Sequence, residues 1–136
     1  MNVLVDTSVW SHALRRRASA ERSPLSVELA SLVQDGRVVM IGPIRQEILS
    51  GIKERVQFDR LREHLRAFPD TAITMEHYEE AAQHFNKCRQ KGIQGSNTDF
   101  LICAMATRNE YSIFTSDDDF EHFAKVLPIK LHRAGA

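Results

Sequence analysis

The sequence predicts an α/β fold: a parallel sheet flanked by helices, read as a single domain spanning residues 1–136. Two observations carry that prediction. Short, mostly apolar runs at Val3 to Val5, Val38 to Ile41 and Ser112 to Phe114 suit strands buried on both faces. Between them lie longer segments with apolar residues at helical spacing, and strands alternating with helices pair in parallel beneath helical layers. A third observation sets the scale. A chain of 136 residues with 43% hydrophobic residues can bury the core of one domain.

The elements follow in order. Val3, Leu4 and Val5 stop at Asp6, and Thr7 and Ser8 offer caps to a helix from Val9 to Arg16. Pro24 opens a second helix, with Leu25, Leu29, Leu32 and Val33 as its apolar stripe, and Gly36 closes it. After the Val38–Ile41 strand, Gly42-Pro43 start a helix that runs to about Ser50. Phe58, Leu61, Leu65 and Phe68 mark another helix, ending before Pro69. Thr71 to Thr74 form a further candidate strand. Tyr78, Ala81, Ala82 and Phe85 define a long helix that stops near Gly92. Asn97 or Thr98 caps a helix reaching about Asn109, and Ser112 to Phe114 follow as a strand. Ile129 to Leu131 are a last candidate strand.

Charge and cysteine content exclude several classes. Eighteen basic residues balance eighteen acidic ones, so any nucleic-acid contact depends on local distribution. Cys88 and Cys103 are too few for a disulfide framework and read as small buried hydrophobes of a reduced, cytoplasmic protein. The start MNVLVDTSVW meets Asp6 too soon for a secretory signal, and the apolar run from Phe100 to Ala106 is too short to span a membrane. The six histidines show no metal-binding spacing, which argues against zinc.

Four acids stand out. Asp6 and Asp117 follow the first and a late strand, and open α/β sheets place their sites at the carboxyl ends of strands. Asp99 lies in the first turn of a helix that is apolar nearly all round, and Glu47 interrupts the stripe of Ile44 and Ile48. Each alone has an ordinary explanation as a cap, a loop residue or a dipole partner. Together they are hard to explain as solvated groups, because burying several like charges is costly without a cation. Oxygen donors select a hard ion, magnesium or manganese, which suits phosphodiester hydrolysis.

These residues resemble the PIN domain, and more closely the VapC-type toxins of bacterial toxin–antitoxin pairs. The marks are DTSVW at Asp6, RQEIL at Glu47, TDFLICAMA at Asp99 and TSDDDF at Asp117, in order along essentially the whole chain. The resemblance implies a three-layer PIN-like fold with about five parallel strands, and a homodimer. It also implies endoribonuclease activity dependent on Mg2+ or Mn2+, and an antitoxin that wraps the toxin and blocks its site. Asp6, Glu47, Asp99 and Asp117 match the family's acidic quartet, with Asp6, Asp99 and Asp117 as metal ligands. Asp119 fits a further acid of the last motif, whereas Asp118 does not. Thr7, Ser8 and Thr115 match supporting hydroxyls, and Asn97 is a further supporting candidate.

Candidate RNA contacts are Arg15, Arg16, Arg17 and Arg45. Lys87, Arg89 and Lys91 have an alternative use as partners of a helix C-terminus. No aromatic stacking array stands out, and Trp10 reads as core or interface; with Leu14, Leu49 and Ile52 it is a candidate dimer contact. A haloacid-dehalogenase phosphatase would need a second Asp at position 8, where Ser stands. A receiver domain would need paired acids at the first strand, and a PIN module that only binds should have lost acids.

Overall fold

The structure, a computed structural model, describes residues 1–15 and 23–134, and the backbone alone of Arg15. Among these residues a parallel sheet of three strands is built from β1 (Val3–Val5), β2 (Val38–Val39) and β3 (Ser112–Phe114), in the order β2-β1-β3. Val3 pairs with Val38 on one side and Ser112 on the other, and Leu4 with Val39 and Ile113. All three residues of β1 are fully buried. Successive strand residues face opposite ways, so helices must cover both faces of this central strand.

The helices are α1 (Thr7–Arg15), α2 (Pro24–Gln34), α3 (Gly42–Leu49), α4 (Arg55–Leu65), α5 (Met75–Gln90), α6 (Asn97–Asn109) and α7 (Asp119–Phe123). Ser23 caps α2 through its hydroxyl, with Pro24 preset for the first turn. Helix α6 is buried along Phe100 to Ala106, which accounts for its all-round apolar sequence. Phe100 stacks at tilted and edge geometry on Phe123 and Phe85, with centroids 4.9 and 5.5 Å apart. These rings join α5, α6 and α7. Among the described residues no helix is long and apolar enough to cross a membrane.

Several expectations change. Thr7 and Ser8 lie inside α1 rather than capping it; Asp6 takes that place, its carbonyl accepting from the amides of Val9 and Trp10. Ser96, not Asn97 or Thr98, is the cap of α6. Tyr78 and Val33 point outward, at 56% and 40% exposure, because each sits just beyond the rim of its helix's buried stripe. Helix α7 was not anticipated; Phe120 and Phe123 in the segment after Asp117 are its buried face.

The expected fourth and fifth strands are reduced to single parallel bridges. Asp70 pairs with Met40 outside β2, and Leu131 pairs with Ile113 outside β3. The edge segments follow Pro69 and Pro128, which have no amide hydrogen to extend a ladder. The two bridges nonetheless stand where a longer sheet would continue.

Candidate active site

Strand β1 runs directly into α1, so Asp6 is placed at the carboxyl edge with no intervening loop. Its amide donates to the Phe114 carbonyl at 2.8 Å, continuing the pairing of β1 with β3 by one residue. The chain beyond β3 therefore lies beside Asp6. The Asp6 carboxylate is nine-tenths buried. Its Oδ2 accepts the Ser8 hydroxyl at 2.7 Å and the Thr115 hydroxyl at 2.8 Å. Both hydroxyls are themselves held: Ser8 Oγ accepts from the Ser116 amide and Thr115 Oγ1 from the Asp117 amide, each at 3.0 Å. Strand ends 109 residues apart are thus joined through one carboxylate oxygen.

Asp117 is half-buried, and its Oδ1 accepts from the Asp119 amide at 2.9 Å, which turns the chain into α7. The Asp119 and Asp118 side chains are exposed. Asp99 enters from α6 and is fixed by a reciprocal cap. The Ser96 amide donates to Asp99 Oδ2 at 3.0 Å, and the Asp99 amide donates to Ser96 Oγ at 3.1 Å. Burial pushes the Asp99 carboxyl above the usual carboxylate range; the Ser96 hydrogen bonds pull it down, and the charges of Asp6 and Asp117 push it up again. Three carboxylates from three elements therefore share one electrostatic field.

Glu47 reaches the site differently. It is exposed at the rim of α3, where Ile44 and Ile48 form the buried stripe, and its Oε1 accepts the Thr7 hydroxyl at 2.7 Å. That bond ties α3 to the first residue after Asp6. One turn below Asp99, burial raises the Cys103 thiol far above its ordinary range, and Asp99 and Asp6 add to the shift. Cys103 is consequently an inert hydrophobe.

The remaining candidates divide. Asn97 is exposed, and no described contact joins it to the three carboxylates. Arg45 is engaged within the protein. Its Nε donates to Asp70 at 2.9 Å, Nη1 to the Leu65 carbonyl at 3.0 Å and Nη2 to the Phe68 carbonyl. The guanidinium closes the end of α4, because carbonyls that outrun the helix ladder need donors. Arg16 and Arg17 lie outside the described residues, as does the Arg15 side chain. Trp10 is buried at 5% exposure with its ring edge-on to Phe68, centroids 5.3 Å apart, so it serves the core of one chain. Two contributors escaped the sequence reading: Ser96, and the Ser116 amide that holds Ser8. The Ser-x-x-Asp spacing at 96–99 was the available signal for the first; the second is a backbone group and has none.

The donors gathered here are carboxylate and hydroxyl oxygens, the set that suits Mg2+ or Mn2+. Burial is what chiefly raises the Asp99 carboxyl, and the charges of Asp6 and Asp117 add to it. Among the described residues no three acidic, imidazole or thiol groups already stand at ligand spacing. The residues fit such an ion by the chemistry of their oxygen donors.

Fold and site together define an α/β protein with an acidic site at the carboxyl edge of a parallel sheet. The PIN domain family model matches residues 3–126. The chain belongs to the PIN domain family. Solved structures agree on the fold. A chain of VapBC2 from Rickettsia felis, bound to a DNA fragment from its promoter, superposes with a TM-score of 0.77 at 16% identity, covering 97% of this chain and 98% of that one. FitAcB from Neisseria gonorrhoeae gives 0.76 at 18% identity, with 97% of each chain covered. A toxin–antitoxin complex from Klebsiella pneumoniae gives 0.61 at 19% identity, covering 88% of this chain and 90% of that one. No curated protein sequence matches the chain significantly.

Proposed function

We propose that the protein is a metal-dependent endoribonuclease, the toxin of a type II toxin–antitoxin pair, acting on RNA phosphodiester bonds with Mg2+ or Mn2+ and an activated water. The observation that carries this reading is the shared field of Asp6, Asp99 and Asp117 at one sheet edge, beside Glu47. The family membership and the toxin–antitoxin complex among its structural neighbours support it.

Asp6, Asp99 and Asp117 are the groups that hold the cation, which when bound supplies charge neutralisation at the phosphate and acidifies water. Ser8 and Thr115 keep Asp6 from turning, and Ser96 does the same for Asp99. Glu47, on the open rim, accepts the proton shed by the attacking water as the P–O bond to the leaving group breaks. Thr7 orients it. The antitoxin covers this edge and a second copy completes a homodimer. The test is cleavage of defined RNAs by the purified protein with and without Mg2+ or Mn2+. Metal-dependent cleavage abolished by Asp117→Asn supports the reading; intact RNA under every condition, or unchanged cleavage by Asp117→Asn, overturns it.

A further inference from the structure

We infer that the carboxyl end of α5 and the turn leading to Asp99 form the track that holds the phosphate backbone of a single-stranded RNA. This rests on the ribonuclease reading and names the surface that serves its site. The chain as a whole is neutral, yet from Ala81 to Thr98 it carries Lys87, Arg89 and Lys91 and no acid. All three are exposed, and among the described residues none is in an ion pair. The contrast with α4 is direct: Arg55, Arg62 and Arg66 there are engaged by Asp59 and Glu63.

The position follows from a chain of contacts. The Arg89 guanidinium carbon lies 5.1 Å from the centre of the Phe85 ring, which holds it flat against the helix. Phe85 in turn meets Phe100, centroids 5.5 Å apart, and Phe100 is the residue after Asp99. Beyond Lys91 the chain turns at Gly92, where φ is +74°, and the Ile93 amide returns to the Cys88 carbonyl at 2.9 Å. That closure joins the end of α5 directly to the segment leading to Ser96 and Asp99. A negative site must attract a polyanion without repelling it, and cations flanking the acids perform that task. Complementing the α5 C-terminus needs one or two of these charges, and does not explain an acid-free run continued to the site.

The experiment measures binding of a fluorescent single-stranded RNA to the full chain carrying Asp99→Asn, which removes cleavage, across a series of salt concentrations. Adding Lys87→Gln, Arg89→Gln and Lys91→Gln is expected to weaken binding on the order of tenfold at low salt. It should also flatten the slope of log K against log salt by about 2, since each phosphate contact to a single strand contributes about 0.7. Far-UV circular dichroism verifies that the variant is folded. A triple substitution Arg15→Gln, Arg16→Gln, Arg17→Gln is the comparison. Loss confined to the first triple supports the track. Unchanged affinity and slope in the first triple, or loss confined to the second, overturns it. A parent protein with no RNA affinity at any salt instead overturns the ribonuclease reading, and the track with it.

Discussion

At the level of single residues, Asp99 is where structure and charge conflict most. Its carboxyl is raised by burial first and then by Asp6 and Asp117. A group with a raised folded value binds its proton more readily folded than unfolded. Stability from this group is therefore gained as pH falls through the raised value toward 3.8 and lost as pH rises through it. Asp99→Asn keeps the shape and the acceptor for the Ser96 amide while removing the charge. We expect the metal-free variant to be at least as stable as the parent near neutral pH, and RNA cleavage to fall by orders of magnitude. Thermal melts against pH decide the first half; a clear loss of stability at pH 7 would contradict the charge argument. Gly95 presents a steric case. A Cβ there would lie 2.5 Å from Phe123 Cζ and 3.0 Å from Phe100 Cζ. Phe123 is fully buried between Phe100 and Phe120 and has nowhere to swing. Gly95→Ala should cost about 1–3 kcal/mol as an overpacked core site, because α7 must move. Denaturant unfolding with an unchanged midpoint would show that the rings yield.

At the level of elements, two devices position the acids. The Ser96–Asp99 box starts α6, and removing the hydroxyl in Ser96→Ala should cost about 0.5–2 kcal/mol of stability. It also deletes one of the interactions that lower the Asp99 carboxyl, so that group should titrate still higher, as carboxyl-detected NMR can read. The second device is the Arg45 clamp on Leu65, Phe68 and Asp70, which binds the end of α4 to α3 two residues before Glu47. Arg45→Met strands buried carbonyl acceptors and should destabilise by about 1–3 kcal/mol. The salt dependence of RNA binding should not change. A flatter salt slope in Arg45→Met would return this arginine to the nucleic-acid surface.

For the whole molecule, the ion proposed for Asp6 just after β1, Asp99 on α6 and Asp117 after β3 would bind only when folding brings all three together. Mg2+ or Mn2+ should therefore raise the melting temperature by mass action on the folded state, and much less in Asp99→Asn. Equal shifts in the two proteins would argue against the shared site. Acid acts in the opposite direction through His84, buried in α5 with its Nε2 3.3 Å from Glu80. Burial lowers this imidazole below its ordinary 6.5, and the Glu80 charge offsets that only in part. Its contribution is present above 6.5 and lost as pH falls below it, since the unfolded chain takes the proton first. His84→Gln should reduce the decline in stability between pH 7 and 5, as read by urea unfolding at each pH. Among the described residues the large apolar side chains left exposed are Met1 before β1, Val27 and Val33 on α2, Val56 on α4 and Met75 and Tyr78 on α5, and these are available to partners. Trp10 is not.

Periodicity and composition determined the class of this protein and most of its order: apolar strands, helices between them, and acids at their junctions. The strand at Ser112–Phe114 and the buried helix bearing Asp99 were legible because their neighbours in sequence are also the cause of their burial. The same holds for Asp6, which ends an apolar run and so had to stand at a strand's carboxyl end. Tertiary structure alone decided the rest. Position 45 is an arginine in any reading, and only the arrival of α4 made it a clamp on the Leu65 and Phe68 carbonyls. In sequence Thr7 and Ser8 read both as caps and, with Thr115, as supports of the site; strand pairing across the sheet set the three on Glu47 and Asp6. Helix α7 and the shortened sheet edges depend on which faces the core still had to cover. The physical reason is common to all: local sequence sets which conformations a segment tolerates, whereas the partner that satisfies a buried polar group or apolar face comes from far along the chain.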